Sequence, residues 1–180
     1  MAATVLIRHA HGAGPTYTDV SAGNTRHVTD DTHVASGSTN PIPVPAAGSN
    51  YGYWVPYRLD ATATPVGTIS NLRAHTDGAS GLPSGVTVVG ETATTYVQPT
   101  GTPGTTGLEL DTPDYATLAG SPVDVFGWTP GAPISIAGSL TNPATGPFGD
   151  FLVTQMQVAS TVAAGGPVSA ETLTILWDET

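Results

Sequence analysis

Glycine and proline recur so closely along this chain that long helices have almost nowhere to form. The 180 residues include 22 glycines and 16 prolines, and the stretches between them are short. Inside a helix, a glycine costs about 1 kcal/mol and a proline about 3 kcal/mol relative to alanine. Short strands joined by turns tolerate this spacing, and the abundant threonine and valine suit a pleated surface. The sequence therefore predicts an all-β fold, a β-sandwich of Ig-like or jelly-roll kind.

Apolar and β-branched runs between the turns define the expected strands. The predicted strands are residues 3–8, 53–63, 68–75, 85–90, 93–98, 133–140, 151–160 and 171–177. One segment is ambiguous, because residues 150–164 would place apolar side chains along one face of a helix or on one side of a strand. Its β-branched residues and the glycines at both ends favour the strand.

The first 48 residues differ in character from the rest of the chain. Residues 24–34 are polar, and Pro41, Pro43 and Pro45 stand at alternate positions. Such prolines favour an extended, polyproline-like path over a central strand. We predict that residues 1–48 form an extended N-terminal arm with the first strands, and that residues 49–180 form the β-sandwich domain.

The chain closes on an apolar run followed by two acidic residues. Ile175 and Trp177 share one parity and should face the core, while Leu176 should point outward and need cover from a loop or a neighbour. Asp178 and Glu179 are adjacent on the predicted strand, so they should point to opposite faces and not form an acid/base dyad. We expect them to discourage edge-to-edge strand pairing.

The charge balance disfavours two classes of partner. The chain has four basic residues, fourteen acidic residues and a net charge of −10. Phosphate backbones and anionic lipid surfaces repel such a protein, so we expect neither nucleic-acid binding nor polybasic membrane docking. The chain has no cysteine, which excludes disulfides and thiolate metal sites.

Two histidines near the start are the candidate metal ligands. His9 and His11 would lie on one face of a strand, a common beginning for a metal site. The next acidic residue is Asp19, beyond a Gly-Pro turn, and a compact ligand set is therefore not evident. The alternative is that these histidines lie at a surface or an interface. No nucleophile elbow, P-loop or dinucleotide fingerprint occurs, so we predict no enzymatic activity, no catalytic residues and no cofactor.

The stretch "NYGYWVPYR" is the best candidate for ligand binding. Tyr51, Tyr53 and Trp54 could form an exposed platform on which sugar rings stack. The alternative is that aromatic residues of this stretch fill the core of the sandwich. Of the three tryptophans, Trp54, Trp128 and Trp177, we expect at least one to lie in the core.

Three stretches in order resemble a known group of proteins. They are "YWVPYRLDATATPVGTISNLRAHTDG", "PSGVTVVGETATTYVQPT" and "GDFLVTQMQVASTVAAGGPVSAETLTILWDET". Their succession resembles virion structural proteins of tailed bacteriophages and prophages, which have an all-β fold. The resemblance covers residues 51–180 except for a dissimilar part at 101–132, and it rests more on the order of the patterns than on any single one.

The resemblance implies a non-enzymatic part of a virus particle. The expected function is that of a capsid decoration or cement protein, made in the host cytoplasm and located on the capsid surface of the virion. The expected partner is the major capsid protein lattice, which the protein would bind as a homo-oligomer. The alternative is a tail or fibre component with a carbohydrate-binding β-sandwich.

Overall fold

Strands account for nearly all regular structure in the computed structural model, which describes residues 3–37, 39–163 and 169–180. The strands are β1 Val5–His11, β2 Thr16–Asp19, β3 Ser49–Tyr51, β4 Val55–Ala61, β5 Thr68–His75, β6 Val86–Ala93, β7 Gly101–Thr102, β8 Thr106–Gly107, β9 Val123–Asp124, β10 Ile134–Ile136, β11 Leu140–Thr141, β12 Gly146–Ala159 and β13 Thr174–Glu179. A single 3-10 turn, Val125–Gly127, is the only helical element of these residues. The predicted all-β fold is confirmed.

Two antiparallel sheets carry most of the strands. The larger sheet has the order β2-β1-β4-β12-β6-β9, and β3 adds to β12. In the smaller sheet β5 is central, with β13 along one edge and β10 and β11 along the other. Strands β7 and β8 form a separate short hairpin.

A shared hydrophobic core joins the two sheets face to face. Leu59 and Leu152 of the larger sheet pack in one buried cluster with Leu72, Ile136 and Ile175 of the smaller sheet. These residues are at most 8% exposed. Two sheets that bury their facing sides against each other form a sandwich.

The opposite side of the larger sheet is buried as well. Trp54, Phe151 and Val153 form a second buried cluster with Leu110 and Tyr115, which lie in the long connection after β6. Strand β12 is therefore covered on both sides and has a continuous buried run in place of alternation. Two-sided burial of this kind removes the period of two from the sequence. It explains why this segment is ambiguous in the sequence; the preferred prediction, a strand, is confirmed.

Residues 1–48, predicted as an arm with the first strands, contact the rest of the chain at several points in their described part. Strand β1 lies inside the larger sheet between β2 and β4. The described part of residues 20–48 contains no helix or strand. Within it, Val28 and Thr29 are buried, and the Val28 carbonyl accepts a hydrogen bond of 2.7 Å from the Tyr53 amide. The segment thus covers the part of the sandwich that follows β3.

One predicted strand is wrong. Strand β6 continues to Ala93, but the following residues, to position 98, form no strand. Side chains from other segments satisfy the backbone there instead: the Tyr115 hydroxyl accepts from the Val97 amide at 3.2 Å, and the Trp54 indole N–H donates to the Val97 carbonyl at 2.9 Å. Because these side chains provide hydrogen bonds to the backbone of Val97, that residue needs no neighbouring strand.

The closing strand has the predicted facing. Ile175 is buried, Trp177 packs partly buried on the core, and Leu176 is 37% exposed. The pairing of β13 with β5 shifts register after Leu176, opposite Asn71, which has a positive φ of 52°. Asparagine is among the few non-glycine residues that adopt this conformation readily, and it allows the bulge here.

Candidate functional site

Four of the five histidines gather on the larger sheet at the side facing the N-terminal segment. This histidine cluster consists of His9 and His11 on β1 with His27 and His33 from the segment that covers the sheet. The Nδ1 atoms of His9 and His33 lie 3.2 Å apart. The ring centroid of His9 is 5.3 Å from that of His11 and 5.4 Å from that of His33.

Strand geometry and loop contacts bring the cluster together. His9 and His11 share a face because they are two residues apart on β1. The Gly12 amide donates to Asp31 Oδ1 at 2.9 Å, which fixes the covering segment next to the end of β1. His27 Nε2 lies 3.4 Å from the Thr154 hydroxyl, on the same side of β12 as the core residue Leu152.

Burial and the proximity of other imidazoles favour the uncharged form of His9, His27 and His33. The pKa of His9 is lowered to about 3, mainly by burial and to a smaller extent by the nearby rings of His11, His33 and His27. Burial also lowers the pKa of His27 to about 4. Burial, and then the proximity of His11, lower the pKa of His33. A charge placed here would lose its hydration and meet other imidazoles at close range.

The geometry gives no ligand set for a metal ion in the described ranges 3–37, 39–163 and 169–180. No three or more His, Asp or Glu side chains are arranged there to hold one. His9 and His11 do come together, but Asp19 instead accepts hydrogen bonds from Ser21. A cavity beside His9, lined also by Arg26 and Asp31, measures about 10 Å³. That is room for roughly one water molecule.

The three predicted sugar-binding residues do not form an exposed platform. Tyr53 is 6% exposed and Trp54 is 2% exposed, while Tyr51 is half-buried. Trp54 packs on Tyr115 with ring centroids 5.3 Å apart. Trp128 is buried too. The aromatic stretch therefore fills the core, as the alternative interpretation held.

The acidic pair that closes the chain is engaged in intramolecular contacts. Asp178 accepts hydrogen bonds from the Asn71 side chain and, at 3.2 Å, from Arg73, and these contacts lower the pKa of Asp178. Glu179 accepts from the amides of Ala3 and Val66 and so joins the two ends of the described chain. Both residues stabilise the position of β13.

The outward side of the smaller sheet carries no buried cluster among the described residues, and its side chains are exposed or half-buried. We call it the outer face, and it consists of Ser135 on β10, Arg73 and His75 on β5, and Thr174, Leu176 and Asp178 on β13. Ser135 and Leu176 are both cross-strand partners of Arg73, so the three form one row across the sheet.

Comparison of the chain with protein-family models, with curated proteins and with solved structures finds no match. Among the described residues, no helix has the length and apolar character needed to cross a membrane.

His27 and His33 follow His9 and His11 closely in the sequence, but no sequence pattern places them against β1. His27 and His33 lie in a segment without helix or strand, where no periodicity relates a position to a neighbour. The His-x-His spacing of β1 is a signal that can be read from the sequence, because it depends only on the alternation of a strand.

Proposed function

We propose that the protein is a structural component of a tailed-phage particle, a decoration or cement protein on the outer surface of the head. It would bind the major capsid protein lattice as a homo-oligomer and hold neighbouring capsomers together. The order of strand patterns in residues 51–180 supports this assignment, and the two-sheet all-β fold suits it.

The outer face is the observation that carries the proposal. Both sides of the larger sheet are covered, one by the smaller sheet and the N-terminal segment and the other by the connection after β6. The outer face has no such cover among the described residues, and it presents Leu176 at 37% exposure. Its ion pair, Arg73 with Asp178, balances its charge. On a chain with a net charge of −10, such a face meets less repulsion from a partner.

The edge of the same sheet offers a second means of attachment. In the described part of the chain, β13 pairs with β5 alone, so its other edge can accept a strand of the lattice at residues 174–177, before the acidic pair. Weak contacts of this kind, repeated across a lattice, give strong total binding. The N-terminal segment lies against its own sheet, and we therefore place the main contact on the smaller sheet.

Co-sedimentation with expanded, assembled capsid shells tests the proposal. The wild-type protein should sediment with the shells and saturate at a fixed ratio to the major capsid protein. Leu176→Asp should bind at least tenfold more weakly, because it puts a carboxylate into the proposed contact. Val123→Asp is the matched control, since Val123 is 49% exposed at the edge of the larger sheet, and it should bind like wild type.

Two results would contradict the proposal. If wild-type protein stays in the supernatant with expanded shells, head decoration is wrong. If Leu176→Asp and Val123→Asp bind alike, the outer face is not the contact. Deleting residues 1–48 is not a useful variant, because it removes β1 and β2, the two strands at one end of the larger sheet.

The number of copies in each particle separates head from tail. A decoration protein should be present at a fixed ratio to the major capsid protein, whereas a tail component should be present in few copies. The alternative of a sugar-binding fibre protein would need residues other than Tyr53 and Trp54, which lie in the interior.

A further inference from the structure

We propose that the histidine cluster is an acid-sensitive latch, which holds residues 25–34 on the larger sheet at neutral pH and releases them when its imidazoles become protonated. The inference does not depend on the proposed function, because it concerns the protein by itself.

The contact between His9 and His33 is compatible with few protonation states. A hydrogen bond between two Nδ1 atoms, here 3.2 Å apart, needs a proton on one nitrogen and a lone pair on the other. Two neutral rings satisfy this requirement. Two imidazolium rings cannot, since both Nδ1 atoms are then donors. The contact therefore cannot persist once both rings are charged.

The buried surroundings of His9 oppose the uptake of even one proton by the His9–His33 pair. His9 is 4% exposed, and His11 lies at stacking distance from it on the same strand. Tyr57 of β4, whose ring centroid is 6.2 Å from that of His9, stays neutral because burial raises its pKa to about 12. On β2, the nearest polar group is the Thr18 hydroxyl, 2.9 Å from His11 Nε2.

Charged groups of the covering segment do not cancel the effect of burial on the histidine pKa values. Asp30 and Asp31 line the cavity beside His9, and each would favour an imidazolium, but Arg26 lines the same cavity. Both carboxylates also accept hydrogen bonds elsewhere, Asp30 from Asn40 and Asp31 from Gly12 and Gln98. Burial lowers the pKa of His9, His27 and His33 despite these neighbours.

Release of the segment would remove the burial and the repulsion between rings that disfavour protonated histidines in the closed state. Opening moves His27 and His33 into water and uncovers His9, so the open state binds protons that the closed state does not. By linkage, each proton taken up raises the opening constant as much as tenfold per pH unit below about 6.5. The covering segment has no strand, which makes its opening easier than that of the core strands.

Amide hydrogen exchange followed by mass spectrometry tests the latch. Protection factors, corrected for the intrinsic rate at each pH, are measured between pH 7.5 and pH 5. That range avoids titration of carboxylates, which have reference pKa values of about 4. For wild-type protein, the protection of residues 25–34 should fall severalfold per pH unit below about 6.5, with a limit of about tenfold for each histidine that takes up a proton. At every pH, the protection of β6 and β12 should stay above that of residues 25–34, because these core strands exchange only when the whole protein unfolds.

Histidine variants connect the effect to the cluster. His33→Gln should reduce the pH slope for residues 25–34, and the double variant His27→Gln with His33→Gln should flatten it further. Both positions lie in the covering segment, so the sheet should fold in each variant. His75→Gln is the matched control, because the ring of His75 faces outward on β5 and contacts the Thr76 carbonyl at 3.0 Å; it should keep the wild-type slope.

The proposal is overturned by any of three results. The first is a protection of residues 25–34 that does not change with pH. The second is a protection of residues 25–34 that equals that of β12 at every pH, which would show that the segment opens only by global unfolding. The third is a slope in the double variant that equals that of wild type, or a slope that His75→Gln reduces to the same degree.

Discussion

The Gln155 side chain fastens the Leu110 backbone to the longest strand of the protein. Its Oε1 atom accepts from the Leu110 amide at 2.8 Å, while its amide group donates to the carbonyls of Gly52 and Leu108. Gln155 is fully buried. A single polar side chain thus satisfies three backbone groups. It holds the connection after β6 against the side of the larger sheet that faces away from the smaller sheet.

Gln155→Leu should lower the free energy of unfolding by about 3 kcal/mol, since it leaves buried backbone groups without partners. Urea denaturation measures this change. Gln157→Leu is the matched control on the same side of the same strand, and it should change the free energy by less than about 0.5 kcal/mol. Equal effects of the two substitutions would show that the hydrogen bonds of Gln155 contribute nothing specific.

Gly149 lies where β12 shifts its register against β4, and it has a positive φ of 71°. A Cβ atom at this position would lie 2.6 Å from Leu72 Cδ1 in the core. Gly149→Ala should therefore destabilise the protein by about 2–3 kcal/mol, through backbone strain and overpacking together. Thermal unfolding should show a lower Tm.

Gly14→Ala serves as the control for that substitution. Gly14 has no positive φ, and a Cβ there would meet no atom within 4 Å. Its Tm should stay close to that of wild type. A Gly149→Ala protein as stable as Gly14→Ala would contradict the described bulge.

Trp54 should matter for stability and not as an exposed binding surface. It is 2% exposed, and its indole donates to the Val97 carbonyl. Trp54→Ala should cost about 3–5 kcal/mol in the free energy of unfolding, as measured by denaturant titration. Trp177→Ala should cost less, because Trp177 is only partly buried. A loss of under about 1 kcal/mol for Trp54→Ala would place this residue at the surface instead.

The free energy of global unfolding should depend on pH through His9. Its pKa is about 3 in the folded protein against 6.5 ordinarily, so the unfolded chain binds the proton more readily. The contribution of His9 is fully present above pH 6.5 and is lost as the pH falls toward about 3, by as much as about 1.4 kcal/mol per pH unit. Urea titrations at pH 7.5, 6 and 5 measure this slope.

An internal control and a variant complete that experiment. Between pH 7.5 and pH 8.5 the His9 contribution should be constant, because both states are then unprotonated. His9→Gln should have a smaller slope below pH 6.5 than wild type. A free energy that rises on acidification from pH 6.5 to pH 5 would contradict the buried neutral state of His9.

Local rules were sufficient where a segment alternates or is bounded by turns. Strand β5 has the predicted limits, and Ile175 and Leu176 face the predicted ways. The rules failed where distant groups replace strand pairing: residues 94–98 were predicted as strand, yet Tyr115 and Trp54 satisfy their backbone. Partners of this kind come from far along the chain, and a local pattern does not contain them.

The sequence by itself determined the all-β class and the shared face of His9 and His11, because glycine and proline spacing limits helices and strand alternation fixes which side chains are neighbours. Only the tertiary structure decided that Trp54 is buried and that His33 meets His9. Both depend on how the connection after β6 and the N-terminal segment lie across the larger sheet. Burial and proximity between distant segments arise from packing of the whole chain, and that packing also sets the pKa of His9.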